Sequence, residues 1–155
     1  MLEANQTAPA FSSIDQNNNA VSLTDFTNKK NVVLYFYPKD DTPGCTIEAN
    51  QFTALKTEFD KTDTVILGVS KDDVQSHCAF IEKFDLQISL LADTDGKLCE
   101  DYGVWQEKEK NGVKKMGIVR STFVIDKSGM LSAVEYGVTA DGHAQEVLKS
   151  IKNSL

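Results

Sequence analysis

The stretch NVVLYFY, residues 31–37, restricts the fold more than any other part of the chain. A strand with one solvated face alternates apolar and polar residues, whereas this run is apolar in both phases and must be covered on both sides. Pro38 cannot donate to a sheet ladder, so the strand ends there. TVILGVS (64–70) has the same character. Between the two, Ala49, Phe52, Leu55 and Phe59 recur near helical spacing from Cys45 onward. Doubly buried strands separated by helical segments indicate an α/β domain.

The rest of the chain fits that plan. APAFSSI and AVSLTDF flank the polar turn DQNNN and read as an N-terminal hairpin. After residue 70 comes a helix with Val74, Cys78, Ile81 and Phe84 on one stripe. ISLLAD (88–93) reads as a short strand and DGKLCEDYG (95–103) as a short helix ending at Gly103. GIVRSTFVID and MLSAVEYG flank DKSG as a second hairpin. A last helix from about Asp141 buries Ala144, Val147, Leu148 and Ile151. The sheet is therefore expected to be mixed, with helices flanking it.

No repeat, linker or low-complexity tract divides the 155 residues, so one domain spanning 1–155 is expected. A net charge of −7 disfavours a nucleic-acid or anionic-membrane surface. No apolar run approaches the roughly 20 residues of a membrane span. MLEANQTAPAF has neither the basic nor the apolar region of an export signal, so a cytoplasmic protein is expected. Its three cysteines, Cys45, Cys78 and Cys99, are odd in number and widely spaced. That pattern points to a reducing compartment, where cysteine is either buried filler or a reagent.

Cys45 reads as the reagent. In DDTPGCT, Thr42 suits the N-cap and Pro43 the first helical position, which puts Gly44 and Cys45 in the first turn. Backbone N–H groups there have no intrahelical partner, and the helix dipole favours negative charge. A helix amino terminus is one of the settings that favour a thiolate over a thiol. Gly44 leaves room for a small substrate. The flanking Lys39, Asp40, Asp41 and Thr42 are not a core setting, which argues against buried filler, although the two acids oppose a thiolate unless they point away.

Arg120 is the second candidate. Of 16 basic residues it alone is Arg, and it sits inside an apolar strand pattern. Guanidinium stays charged when partly buried and presents a fixed fork of donors. Strand alternation would put Ile118, Arg120, Thr122 and Val124 on one face. The competing reading of Arg120 is a structural ion pair. Glu48, one turn beyond Cys45, can orient Arg120 or simply stabilise the helix start. His143 reads as a cap or surface residue. His77 with the scattered cysteines makes no recognised zinc spacing, and no phosphate-binding glycine motif is present, so no metal or cofactor is expected.

FYPKDDTPGCT carries P-x-x-x-T-x-x-C through Pro38, Thr42 and Cys45, and in this it resembles the peroxiredoxins. APAFSSIDQNNNAVSLTDF, YGVWQEK, GIVRSTFVID and GHAQEVL extend the resemblance over nearly the whole chain, to the Q-type or bacterioferritin comigratory subgroup. The resemblance implies a thioredoxin fold with an N-terminal hairpin extension, and a peroxidatic Cys45 with Thr42, Arg120 and a shielding Pro38. Many Q-type members carry a resolving cysteine five residues after the peroxidatic one, where this chain has Asn50. Others place it on the following helix, where this chain has Cys78. The expectation is a monomeric peroxidase for hydrogen peroxide and small organic hydroperoxides, recycled by thioredoxin and resolved by Cys78, with an external thiol or Cys99 as the other resolving groups. Two alternatives remain at this point. A thiol–disulfide oxidoreductase would use a C-x-x-C partner, but that position is Glu48. A chaperone or redox-signalling module would leave Thr42, Cys45 and Arg120 without a purpose.

Overall fold

A computed structural model describes residues 1–155. β1 (Ser12–Ile14) and β2 (Ala20–Ser22) pair antiparallel as the expected hairpin. Asp15 turns the chain by accepting from the amides of Asn17 and Asn19. Leu23–Asp25, expected to extend the second strand, instead forms one 3-10 turn, because the Asp25 carboxylate captures the Ser22 amide and closes a capping box.

β3 (Asn31–Phe36) leads through α1 (Pro43–Ala54) and α2 (Lys56–Asp60) to β4 (Thr64–Ser70), and α3 (Val74–Phe84) leads on to β5 (Ser89–Ala92). After α4 (Lys97–Asp101) come β6 (Trp105–Lys110), β7 (Val113–Ile118), β8 (Ser121–Ile125), β9 (Leu131–Tyr136) and α5 (His143–Ser154). The main sheet has the order β5-β4-β3-β8-β9. β3, β4 and β5 are parallel, while β8 runs antiparallel to β3 and β9.

The double burial read from NVVLYFY is explained by this order. β3 lies at the centre, with Leu34 opposite Leu67 on one side and Phe123 on the other. Its alternate residues feed two separate cores. Val33, Tyr35 and Tyr37 pack with Phe52, Phe59, Phe80 and Val147, whereas Val32, Leu34 and Phe36 pack with Leu91, Tyr102 and Phe123. Truncating a core aromatic such as Phe52 to Ala would cost about 3–5 kcal/mol.

Several elements differ from the sequence reading. The helix expected over Cys45–Phe59 is two helices meeting at Leu55, whose amide bonds to both Gln51 and Phe52. Apolar spacing does not register so short a change of winding. GIVRSTFVID is not one strand, since β7 ends at Ile118 and β8 begins at Ser121. Between them the Val119 amide bonds to Val104, and the Arg120 carbonyl accepts from Val138. Ile118 consequently joins the second core and Val124 the first, so the expected common face does not exist. The β6–β7 hairpin was not anticipated, although its Asn111–Gly112 turn, with φ of 55° and 77°, is a favoured hairpin turn. On α3 the buried residues are His77 and Phe80, and Cys78 lies at the edge of the stripe, half-buried.

Candidate active site

α1 starts just beyond the carboxyl end of β3, so its amino terminus meets the end of the central strand. Thr42 is the N-cap in extended conformation, with Pro43 at the first helical position, as expected. Its carbonyl accepts from the Thr46 amide at 2.8 Å. The hydroxyl does not cap the helix. It donates to the Lys39 carbonyl at 2.9 Å and ties the loop back on itself.

Cys45 is 2% exposed and packs with Ala49 and Phe52 in the first core. The choice posed by the sequence, reagent or buried residue, was therefore too sharp, because the thiol is buried beneath a charged side chain. Arg120 places Nη2 3.4 Å from the Cys45 sulfur and Nη1 2.7 Å from Glu48 Oε1. One arm of the guanidinium fork reaches the sulfur and the other is held by a carboxylate. A lysine could not divide its charge between two sites in this planar way. The break between β7 and β8 is what frees residue 120 from the sheet ladder to reach across.

Gly44 explains itself in this geometry. A Cβ there would lie 3.1 Å from Arg120 Nη2, so its small size makes room for the guanidinium. Glu48 is 0% exposed, and its Oε2 is buried without a hydrogen-bond partner, as is the hydroxyl of Tyr35. Burial pushes the Glu48 carboxyl up to about 7, and Arg120 pulls it only part of the way back. Burial draws the guanidinium the other way, but Glu48 and Cys45 more than offset this. Arg120 keeps its proton throughout, so the pair titrates on Glu48.

The two acids before Thr42 do point away. Asp41 is exposed and pairs with Lys83 at 2.8 Å. Asp40, expected in a solvated loop, is 7% exposed. It accepts from Tyr37 Oη at 2.6 Å and from Ser76 Oγ at 2.8 Å, and meets His77 Nδ1 at 2.7 Å. Pro38 is exposed at the end of β3. Cys78 is half-buried, with its sulfur 3.8 Å from Glu82 Oε1. Cys99 is fully buried on α4, and its thiol is pushed far up by burial and then by Asp93. All three cysteines are free.

Both histidines are internal, at 0% and 2% exposure, and for His143 this overturns the reading as a cap or surface residue. His143 Nε2 lies 2.7 Å from Thr122 Oγ1 and is no surface residue. Helical phase could have revealed both. His77 is three residues before Phe80 on α3, and His143 is four before Val147 on α5. Two groups, Asp40–Asp72–His77 and Glu135–His143–Glu146, bring possible metal-ligating atoms within 4.8 Å of one another. The first is taken up by hydrogen bonds from Tyr37, Ser70 and Ser76, and the second relies on two exposed carboxylates. A cleft of about 670 Å³ lies elsewhere, between the N-terminal hairpin and the start of α4.

Comparison with known proteins gives this arrangement its class. The chain belongs to the AhpC/TSA family, whose model matches residues 4–134. Within it the chain is a peroxiredoxin of the Bcp/PrxQ subgroup, and so a peroxidase. It is 42% identical over 152 residues to peroxiredoxin Bcp of Bacillus subtilis, covering 98% of this chain and 96% of that one. A cysteine-to-serine variant of Xylella fastidiosa PrxQ superposes with a TM-score of 0.93 at 34% identity, over 99% of this chain and 97% of that one. A Xanthomonas campestris bacterioferritin comigratory protein, solved as a trapped intermediate/ligand complex in a study of its alkyl peroxide reduction, matches with a TM-score of 0.87. It is 38% identical, over 92% of this chain and 90% of that one. The fold is accordingly the thioredoxin-like fold with an N-terminal hairpin. No helix is long and apolar enough to cross a membrane.

Proposed function

We propose that Cys45 is the attacking sulfur and that the protein reduces hydrogen peroxide and small organic hydroperoxides as a monomer in the cytoplasm. The observation that carries this reading is the Arg120 fork, 3.4 Å from Cys45 Sγ and 2.7 Å from a fully buried Glu48. The Cys45 thiolate attacks one peroxide oxygen in line with the O–O bond. The S–O bond forms as the O–O bond breaks, and the departing oxygen takes a proton to leave as water or an alcohol. Cys45 is left as a sulfenic acid. Arg120 and the first-turn amides stabilise charge as it moves onto the oxygens, joined by the Thr42 hydroxyl once it turns from the Lys39 carbonyl, and Glu48 fixes the guanidinium in place. Pro38 shields the site from the end of β3.

Cys78 then attacks the sulfenic sulfur, releasing water and forming a Cys45–Cys78 disulfide. A dithiol protein such as thioredoxin restores both thiols by exchange. Two observations favour Cys78 over Cys99: it is half-buried where Cys99 is sealed, and α3 follows the strand next to β3. A disulfide needs Cα atoms within about 7 Å, and in this reading the first turn of α1 unwinds locally to bring the two sulfurs together. Peptide mapping after one equivalent of peroxide tests the assignment. A Cys45–Cys78 linked pair is expected, and thioredoxin-dependent cycling by Cys78→Ser at the wild-type rate would overturn it.

A further inference from the structure

Asp40, two residues before the N-cap of α1, is held by Tyr37 just beyond β3 and by the β4–α3 segment. Asp72 Oδ2 accepts the Asp40 amide at 2.9 Å, and Ser70 Oγ donates to that same carboxylate oxygen at 2.6 Å. From α3, Ser76 and His77 both reach Asp40 Oδ2, at 2.8 and 2.7 Å. Tyr37 Oη donates to Asp40 Oδ1 at 2.6 Å. His77 is itself fixed to the sheet, with Nε2 2.9 Å from the Leu91 carbonyl of β5. One proton lies between Nδ1 and Oδ2 whichever atom carries it. The network is buried, with side-chain exposures of 0% for His77 and 4% for Asp40.

The chain changes character one residue later. Asp41 is exposed, in left-handed conformation at φ 57°, and held only by the exposed Lys83 pair. Such a pair contributes little. Pro43 is exposed, and Thr42 and Gly44 are half-buried. Opening the Asp40 network breaks several buried hydrogen bonds, whereas residues 41–44 are exposed or half-buried and the main cost beyond them is withdrawing buried Cys45 from Arg120. A segment that unwinds at the helix start would therefore remain held at Asp40.

His77 is also the sequence neighbour of Cys78. We propose that the Asp40–His77 pair is a positioning pair for the resolving step, a pivot that keeps the unwound segment attached to the turn of α3 that carries Cys78. Cys45 is then tethered by five residues, which span at most about 18 Å, to a point next to its target. A short tether of this kind raises the effective concentration of one sulfur at the other. The inference rests on Cys78 being the resolving cysteine. It differs from a brake in sign: removing a brake would speed the disulfide, and removing a pivot slows it.

The test uses the full chain, quenched at intervals after stoichiometric peroxide, with sulfenic acid, disulfide and sulfinic acid counted by mass. In Asp40→Ala, disulfide formation should fall about 10-fold, with a matching rise in the sulfinic fraction as peroxide is raised. Asp40→Asn, which keeps some of the hydrogen bonds, should fall between. Should Asp40→Ala fail to fold, Tyr37→Phe and Ser76→Ala each remove one hydrogen bond to Asp40 and should shift the disulfide-to-sulfinic ratio in the same direction. Disulfide formation at or above the wild-type rate in the folded variants overturns the pivot. The wild-type arm tests the underlying reading separately. If no Cys45–Cys78 disulfide forms there, the assignment of Cys78 falls and the pivot with it.

Discussion

At the scale of single residues, the site depends on one guanidinium serving two partners. Arg120→Lys keeps the charge but cannot reach both Cys45 and Glu48 in one plane, and peroxide consumption should fall about 10- to 100-fold. Rates matching wild type at every pH would reduce Arg120 to a structural ion-pair residue. Gly44→Ala tests the same geometry from the other side. Its Cβ would sit 3.1 Å from Arg120 Nη2, displacing the guanidinium while leaving the core untouched. The expected result is a loss of about 10-fold in the rate of Cys45 oxidation with the melting temperature nearly unchanged. Wild-type oxidation rates in that variant would show that the guanidinium is free to move. From the sequence alone, the space at Gly44 reads as room for substrate. Only the three-dimensional approach of a residue 76 positions away shows that Arg120 fills part of it.

Elements place these residues, and here the legibility of the sequence was uneven. NVVLYFY and TVILGVS announced the central strands because burial on both faces leaves an unbroken apolar signature. Thr42–Pro43 announced the start of α1 because the fixed φ of a proline at the first helical position is a local signal, even though the Thr42 hydroxyl makes no cap. The break at Val119–Arg120 was not legible. Its backbone partners, Val104 and Val138, are distant in sequence, and a two-residue interruption between apolar strands leaves the pattern intact. The burial of Asp40 is illegible for a related reason, since an acid in a loop looks solvated until Tyr37 and His77 are brought against it. α3 offers a test at this scale. Asp73 is its N-cap and accepts the Ser76 amide at 2.8 Å, so Asp73→Ala should cost about 1 kcal/mol in denaturant unfolding. A variant as stable as wild type would show that the α3 start is held by tertiary contacts alone.

For the whole molecule, the buried Glu48 couples the site to stability. Its carboxyl is raised in the folded protein to about 7, above its ordinary value of 4.5. The folded state thus holds a proton that the unfolded chain has released. The contribution is fully present below about pH 4.5 and is lost as pH rises through about 7. Wild type should therefore lose stability relative to Glu48→Gln over that window, by up to about 3 kcal/mol. Parallel pH–stability curves for the two proteins would place the Glu48 titration elsewhere. The account as a whole turns on which sulfur meets the peroxide. Cys45 is the only one of the three cysteines with a guanidinium against its sulfur, while Cys99 is sealed and Cys78 faces Glu82. The direct measurement is to treat the Cys78→Ser protein with one equivalent of hydrogen peroxide, trap sulfenic acid with a dimedone-type reagent, and locate the adduct by peptide mass. The adduct is predicted on Cys45 alone, and its appearance on Cys99 with Cys45 still reduced would contradict the account.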